Sequence, residues 1–169
     1  MSAAMETTPA TTTVELPRFG SFTYAEEEIF GFPWGLPGFP ALRHWLALTL
    51  PTQPNFVWLQ SLDDLKVAIP TCDPYMVFES YNPKLPAYAV AALEINDPGE
   101  FTLLCVMVAT AEAEEMTMNL MAPIVVNLRT RHARQVMLEN SGYSMKESVP
   151  RKASGGEAVG EVAQATTPQ

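Results

Sequence analysis

Residues 116–138 read MTMNLMAPIVVNLRTRHARQVML, and the run Ile124-Val125-Val126 within them limits what this chain can fold into. β-Branched side chains lose χ1 freedom in a helix and pack well on a pleated surface. A polar turn segment, Asn127-Leu128-Arg129-Thr130-Arg131-His132, follows, and a second apolar segment, Gln135-Val136-Met137-Leu138, completes a hairpin pattern. Neither flank has helical spacing, so two antiparallel strands are expected, joined by a loop of more than two residues and lying deep in the fold. Pro123 falls at the start of the first strand, where a missing N–H harms a ladder least. Val125 is expected to be buried, with Val126 facing the other way and tolerating a polar side chain better.

The rest of the chain supplies partners for that hairpin. Short apolar segments recur at 18–24, 29–32, 46–50, 56–60, 66–70 and 101–110, and only the alanine-rich stretch 87–94 suggests a helix. The pattern predicts an all-β, mainly antiparallel fold: a small β-barrel-like single domain of about eight or nine strands with one or two short helices. At 169 residues and 47% apolar content, one core needs no disulfides. The domain is expected to span 15–146, with tails at 1–14 and 147–169 too poor in large apolar side chains to order themselves. Residues 32–40 pack three prolines and two glycines among large apolar side chains, which forbids a regular helix or a long strand. Two readings of this ordered loop stay open: an aromatic plug closing one end of the fold, or a docking loop that presents Trp34 and Phe39 as anchors.

Catalytic and metal chemistry find little support. Cys72 and Cys105 are not closely spaced, and His44 and His132 have no further ligands at metal-binding intervals. Asp73 beside Cys72 would raise a thiol pKa, the reverse of activation. Adjacent carboxylates such as Asp63 and Asp64 in a turn are usually solvated, and no nucleophile elbow or phosphate loop is present. No enzyme activity, metal or cofactor is expected. The longest apolar run, 101–111, is about half of the ~20 residues a membrane-spanning helix needs. With no basic segment preceding an apolar one at the N-terminus, a cytoplasmic protein with reduced thiols is expected.

Charge is more informative. The formal net charge of −9 opposes binding to a phosphate backbone. Between Phe19 and Leu128 there are thirteen Asp and Glu against three Lys and Arg, a local balance of −10, whereas Arg129, Arg131 and Arg134 gather at the hairpin. Such a body would steer a basic partner toward it. Candidate contacts are Glu26, Glu27, Glu28, Asp63, Asp64, Glu112, Glu114 and Glu115, with Trp34 and Phe39 as apolar anchors. Arg129 and Arg131 are either a solubilising loop or a contact of their own.

Seven blocks carry a family resemblance: Arg18-Phe19-Gly20, Phe32-Pro33-Trp34-Gly35-Leu36-Pro37-Gly38-Phe39, Trp58-Leu59-Gln60-Ser61, Asp73-Pro74, Met116-Thr117-Met118-Asn119-Leu120, Ala122-Pro123-Ile124-Val125-Val126-Asn127 and Gln135-Val136-Met137-Leu138. In order and spacing, over about 18–146, they resemble the flagellar assembly factor FliW family. Trp34 stands where that family usually has an acidic residue, and Met121 where it usually has glutamine. The resemblance implies a non-catalytic regulator that binds the RNA-binding translational repressor CsrA and relieves its repression of flagellin mRNA. It also implies binding of flagellin itself, so that free flagellin sequesters the regulator. A contrasting reading is a β-barrel small-ligand binder or enzyme that uses the Pro/Gly-rich loop as a lid. A weaker one is direct RNA binding through the hairpin arginines.

Overall fold

The computed structural model describes residues 10–109 and 115–150, which hold eleven strands and one α-helix. In chain order these are β1 (Thr11–Leu16), β2 (Gly20–Ala25), β3 (Phe30–Gly31), β4 (His44–Leu50), β5 (Gln53–Ser61), β6 (Ala68–Cys72), α1 (Ala87–Ala92), β7 (Phe101–Ala109), β8 (Met116–Met118), β9 (Ile124–Asn127), β10 (Ala133–Gln135) and β11 (Glu147–Ser148). β1 and β2 form a separate hairpin, while the other nine strands make one antiparallel sheet in the order β10-β9-β7-β6-β5-β4-β3, with β8 on β7 and β11 on β8. β7 is shared. Its one edge pairs with β6 through Val106 and Cys105, and its other edge takes β9 along 101–104 and β8 along 107–109.

The fold is therefore all-β and mainly antiparallel, but the strand pairing does not close into a barrel. β3 has only two residues, and it meets the strand at the other end of the sheet through a single parallel bridge between Gly31 and His132.

Both faces of the large sheet are buried. Leu46, Trp58, Leu103 and Val125 pack into one apolar cluster, while their sequence neighbours Trp45, Leu59, Leu104, Ile124 and Val126 pack into a second. Successive strand side chains point to opposite faces, so this is one sheet with two cores. The β1–β2 hairpin covers the first face with Val14, Leu16, Phe22 and Tyr24, helped by Ala89 and Leu93 from α1 and its cap. Residues 32–42 cover the second: Phe32 and Leu36 are buried, and the Phe32 and Phe39 rings meet Trp45 at 5.9 and 6.5 Å, tilted edge-on. Gly35 makes that cover fit. Its φ is +67°, and a Cβ there would stand 2.5 Å from the Pro40 carbonyl oxygen.

Three expectations change. Val126 does face away from Val125, yet it is only 3% exposed because the second core covers it. The return strand is Ala133–Gln135 rather than 135–138; Val136 and Leu138 still run beside β9's leader, donating to the Pro123 and Met121 carbonyls at 2.9 and 2.8 Å. The domain edges expected at 15 and 146 fall next to or within paired strands. Thr11 to Val14 ladder against β2, Ser148 pairs with Thr117, and Val149 N–H donates to the Met116 carbonyl. The remaining tail positions, 1–9 and 151–169, lie outside the described residues.

Two-sided burial predicts that Val125→Asp and Val126→Asp each cost several kcal/mol through an unpaired buried charge, enough to unfold a typical domain. Urea unfolding should show both variants destabilised, in contrast to the one-sided tolerance expected from strand alternation alone. Gly35→Ala should also lower the midpoint, because the clash is with backbone.

Candidate functional site

The turn between β9 and β10 is built by Asn127, whose side chain is fully buried. Its Oδ1 accepts from Arg129 N and Thr130 N at 2.8 and 3.1 Å, an arrangement that mimics a backbone turn. Its Nδ2 donates to the Leu93 carbonyl at 2.7 Å, tying the turn to the end of α1. Arg131, at φ +63°, then returns the chain.

This turn spends two of its arginines internally. Arg129 donates to the Glu94 carbonyl at 2.7 Å and pairs with Glu100 at 3.4 Å. Arg131 lays its guanidinium over Phe30, 3.8 Å from the ring centroid, and donates to the Glu28 carbonyl at 3.0 Å. With Gly31 N–H donating to the Arg131 carbonyl at 2.8 Å, the turn is clasped to β3. Arg129 and Arg131 thus both brace the turn, with Arg129 still exposed at the surface.

Arg134 differs. Its guanidinium carbon lies 4.6 Å from the Trp34 ring centroid and 5.2 Å from that of Tyr88. Both rings are exposed, by 46% and 52%. Trp34 is thus the outward member of a loop whose Phe32 and Leu36 face the core, and Phe39 is half-buried against Trp45. Tyr88 was not among the sequence candidates; its signal was an aromatic residue in an otherwise alanine-rich helix. Beside it, a groove of about 700 Å³ runs along α1 and is lined by Ala87, Val90, Ala91, Glu94, Ile95 and Arg129 among others.

The acidic candidates do not form one cluster of equivalent groups. Glu26, Glu27 and Glu28 make a 3-10 turn after β2, all exposed, with the Glu28 carboxylate accepting from Ala25 N at 2.6 Å. Asp63 is occupied: it accepts from Arg43 N at 2.6 Å, His44 N at 2.9 Å and His44 Nδ1 at 3.0 Å. Partial burial pushes the Asp63 carboxyl upward, but these backbone N–H groups and the His44 ring together hold it below its ordinary value. Asp64 accepts from Lys66 N at 3.1 Å within the same turn. Glu115 is exposed, and Glu112 and Glu114 lie outside the described residues.

Burial pushes the Cys72 and Cys105 thiols up to about 11 and about 12, which keeps them protonated and unreactive at neutral pH. Among the described residues no three His, Cys, Asp or Glu side chains are placed to hold a metal, and no helix is long and apolar enough to cross a membrane.

A family model described as FliW protein matches residues 13–149. A flagellar assembly factor FliW of Pseudothermotoga lettingae is 36% identical over 133 residues, covering 78% of this chain and 85% of its own length. One from Oceanobacillus iheyensis is 32% identical over 136 residues, covering 80% and 92%. A crystal structure of the flagellar assembly factor FliW superposes with a TM-score of 0.75 at 27% identity, over 83% of this chain and 99% of that one.

Asn127→Ala strips the turn and the α1 tie at once. It should cost about 2–4 kcal/mol, since each hydrogen bond is worth about 1 kcal/mol and the remaining buried groups lose their partner; chemical denaturation measures this. For Asp63, a lowered native pKa means that its charge-dependent contribution is fully present above the unfolded value near 3.8 and is lost as pH falls through the lower native one. Asp63→Asn should therefore unfold earlier than wild type at pH 7, and the gap should close in melts taken below that native pKa.

Proposed function

Because the chain belongs to the FliW family of flagellar assembly factors, we propose that it is a non-catalytic, cytoplasmic protein-binding regulator that binds the translational repressor CsrA and relieves its repression of flagellin mRNA. Flagellin is the alternative partner in the same switch. The observation that carries this reading is the family match across 13–149, which spans every described strand from β2 to β10. The net charge of −9 supports it, because an RNA-binding repressor presents a basic surface to an acidic one.

Glu26, Glu27, Glu28 and Glu115 are exposed carboxylates suited to the first contact. Asp63 and Asp64 contribute field but are held by their own turn. The Arg134 guanidinium lies over the Trp34 ring, so a basic partner that used Trp34 as its apolar anchor would meet a like charge beside it. Phe39 has part of its ring committed to Trp45, which limits its use as an anchor.

Charges at the rim of an interface act mainly on encounter. Reversing Glu26, Glu27 and Glu115 to Lys should slow association with purified CsrA by about tenfold at low salt, flatten its salt dependence and leave dissociation nearly unchanged. Surface-plasmon kinetics at several salt concentrations reads all three quantities. Unchanged association would remove the acidic contact set, and failure of CsrA to bind the wild-type chain would remove the proposed function. Flagellin should lower CsrA affinity, and CsrA should lower flagellin affinity by the same factor.

A further inference from the structure

Arg134 sits on the edge strand β10, where the sheet, α1 and the 32–40 loop come together. The ion pairs between described residues are His44 with Asp63 and Arg129 with Glu100, so no described carboxylate neutralises Arg134. A guanidinium held over aromatic rings uses its flat faces and leaves its in-plane N–H groups available. That edge matches a carboxylate, which it can receive through two parallel charge-assisted hydrogen bonds. The rings that hold it are half exposed, so a ligand meeting the cation also meets apolar surface.

The apolar surface continues. Tyr88 and Ala91 lie three residues apart on α1, and Ala91 opens onto the groove of about 700 Å³, where Ala87, Val90 and Ile95 supply apolar surface between Glu94, Asn96 and Arg129. The ligand that fits both parts carries a carboxylate for Arg134 and apolar side chains for the rings and groove. A polyphosphate chain has charge for Arg134 but no apolar surface to set against the two rings or against Val90 and Ile95.

We propose that Trp34, Tyr88 and Arg134 form a binding site for an acidic amphipathic segment of a partner protein, with its carboxylate on Arg134 and its apolar side chains on the two rings and along the α1 groove. The site has the opposite charge preference to the Glu26, Glu27 and Glu115 set, so it serves a different partner surface from a basic repressor.

Trp34 provides the readout. Trp45 and Trp58 are fully buried, so acrylamide quenching of tryptophan emission reports chiefly on Trp34. The full chain is titrated with a synthetic helical peptide of Glu and Leu, with its Gln-for-Glu counterpart, and with inorganic polyphosphate. The acidic peptide should shield Trp34 from quencher, and the Gln peptide should bind at least about tenfold more weakly, as expected for loss of a charge-assisted pair. Arg134→Gln should weaken the acidic peptide by a similar factor, and Arg134→Lys by less, since it keeps the charge but not the planar fork. Should Arg134→Gln lower the unfolding temperature, Tyr88→Ala at its exposed helical position carries the same test, read as weaker peptide binding.

The proposal is overturned if wild type does not bind the acidic peptide, if both peptides bind equally, if a folded Arg134→Gln or Tyr88→Ala variant binds like wild type, or if polyphosphate shields Trp34 better than the peptide does. CsrA affinity measured on the same variants should be unchanged. Its loss together with peptide binding would merge the two sites and overturn their separation, whereas loss of CsrA binding in wild type would leave this site standing.

Discussion

Burial of both faces of one sheet is the constraint on which the rest of this structure depends. A strand wet on one side needs a single cover, but β4, β5, β7 and β9 place apolar side chains on both sides and need two. Fully burying a Val or Leu side chain contributes about 1.5–3 kcal/mol, so leaving either face open would forfeit more than a domain's net stability. The covers are consequently obligatory. A hairpin and a short helix close one side, and an irregular loop rich in proline and glycine closes the other. That loop cannot serve as a simple lid, because Phe32 and Leu36 are part of the second core and Gly35 is locked against Pro40.

A sheet covered on both sides must still hold its edges, and Asn127 shows how polar groups do so at low cost. It is buried, yet its acceptor and donor sides are both used, so it closes the β9–β10 turn and holds the end of α1 together. Gln60 has a related role on β5: its Nε2 donates to the Ser61 and Leu65 carbonyls at 2.8 and 3.0 Å, while its Oε1 has no partner among the described residues. Arg131 likewise clasps β3 from outside at the cost of a buried Nε with no partner among the described residues. Such a group costs on the order of 1–3 kcal/mol, which the cation–π contact with Phe30 and the bond to Glu28 must offset.

The hairpin was legible because Ile124-Val125-Val126 carries the β signal in side-chain shape. The burial of Val126 was not, since alternation assigns faces but does not say whether the second face is wet. β1 was illegible for another reason: Thr11, Thr12 and Thr13 show no apolar period, and their strand comes from pairing with β2, including a 2.8 Å contact between the Thr13 and Thr23 hydroxyls. The early start of β10 depends on Asn127 closing the turn through its side chain, a tertiary choice that composition permits without requiring. At the candidate surfaces, sequence could group Arg129, Arg131 and Arg134 but could not distinguish them. Two are engaged by Glu100, Phe30 and Glu28, Arg129 while still exposed, and the third, half-buried, lies beside two exposed aromatics.

That sorting of charges has a mechanical side. The 3-10 turn carrying Glu26 and Glu27 ends at Glu28, whose carbonyl is held by Arg131, and Arg131 lies three residues before Arg134. A basic partner at the turn and an acidic segment at Arg134 would therefore press on opposite ends of one clasp, made of Phe30, Gly31, Arg131 and His132. Coupling between them requires that clasp to have two arrangements which the ligands favour unequally; proximity alone does not supply it. β3, two residues long and joined across the seam by a single bridge, is the place where a second arrangement costs least, because few ladder bonds would have to break.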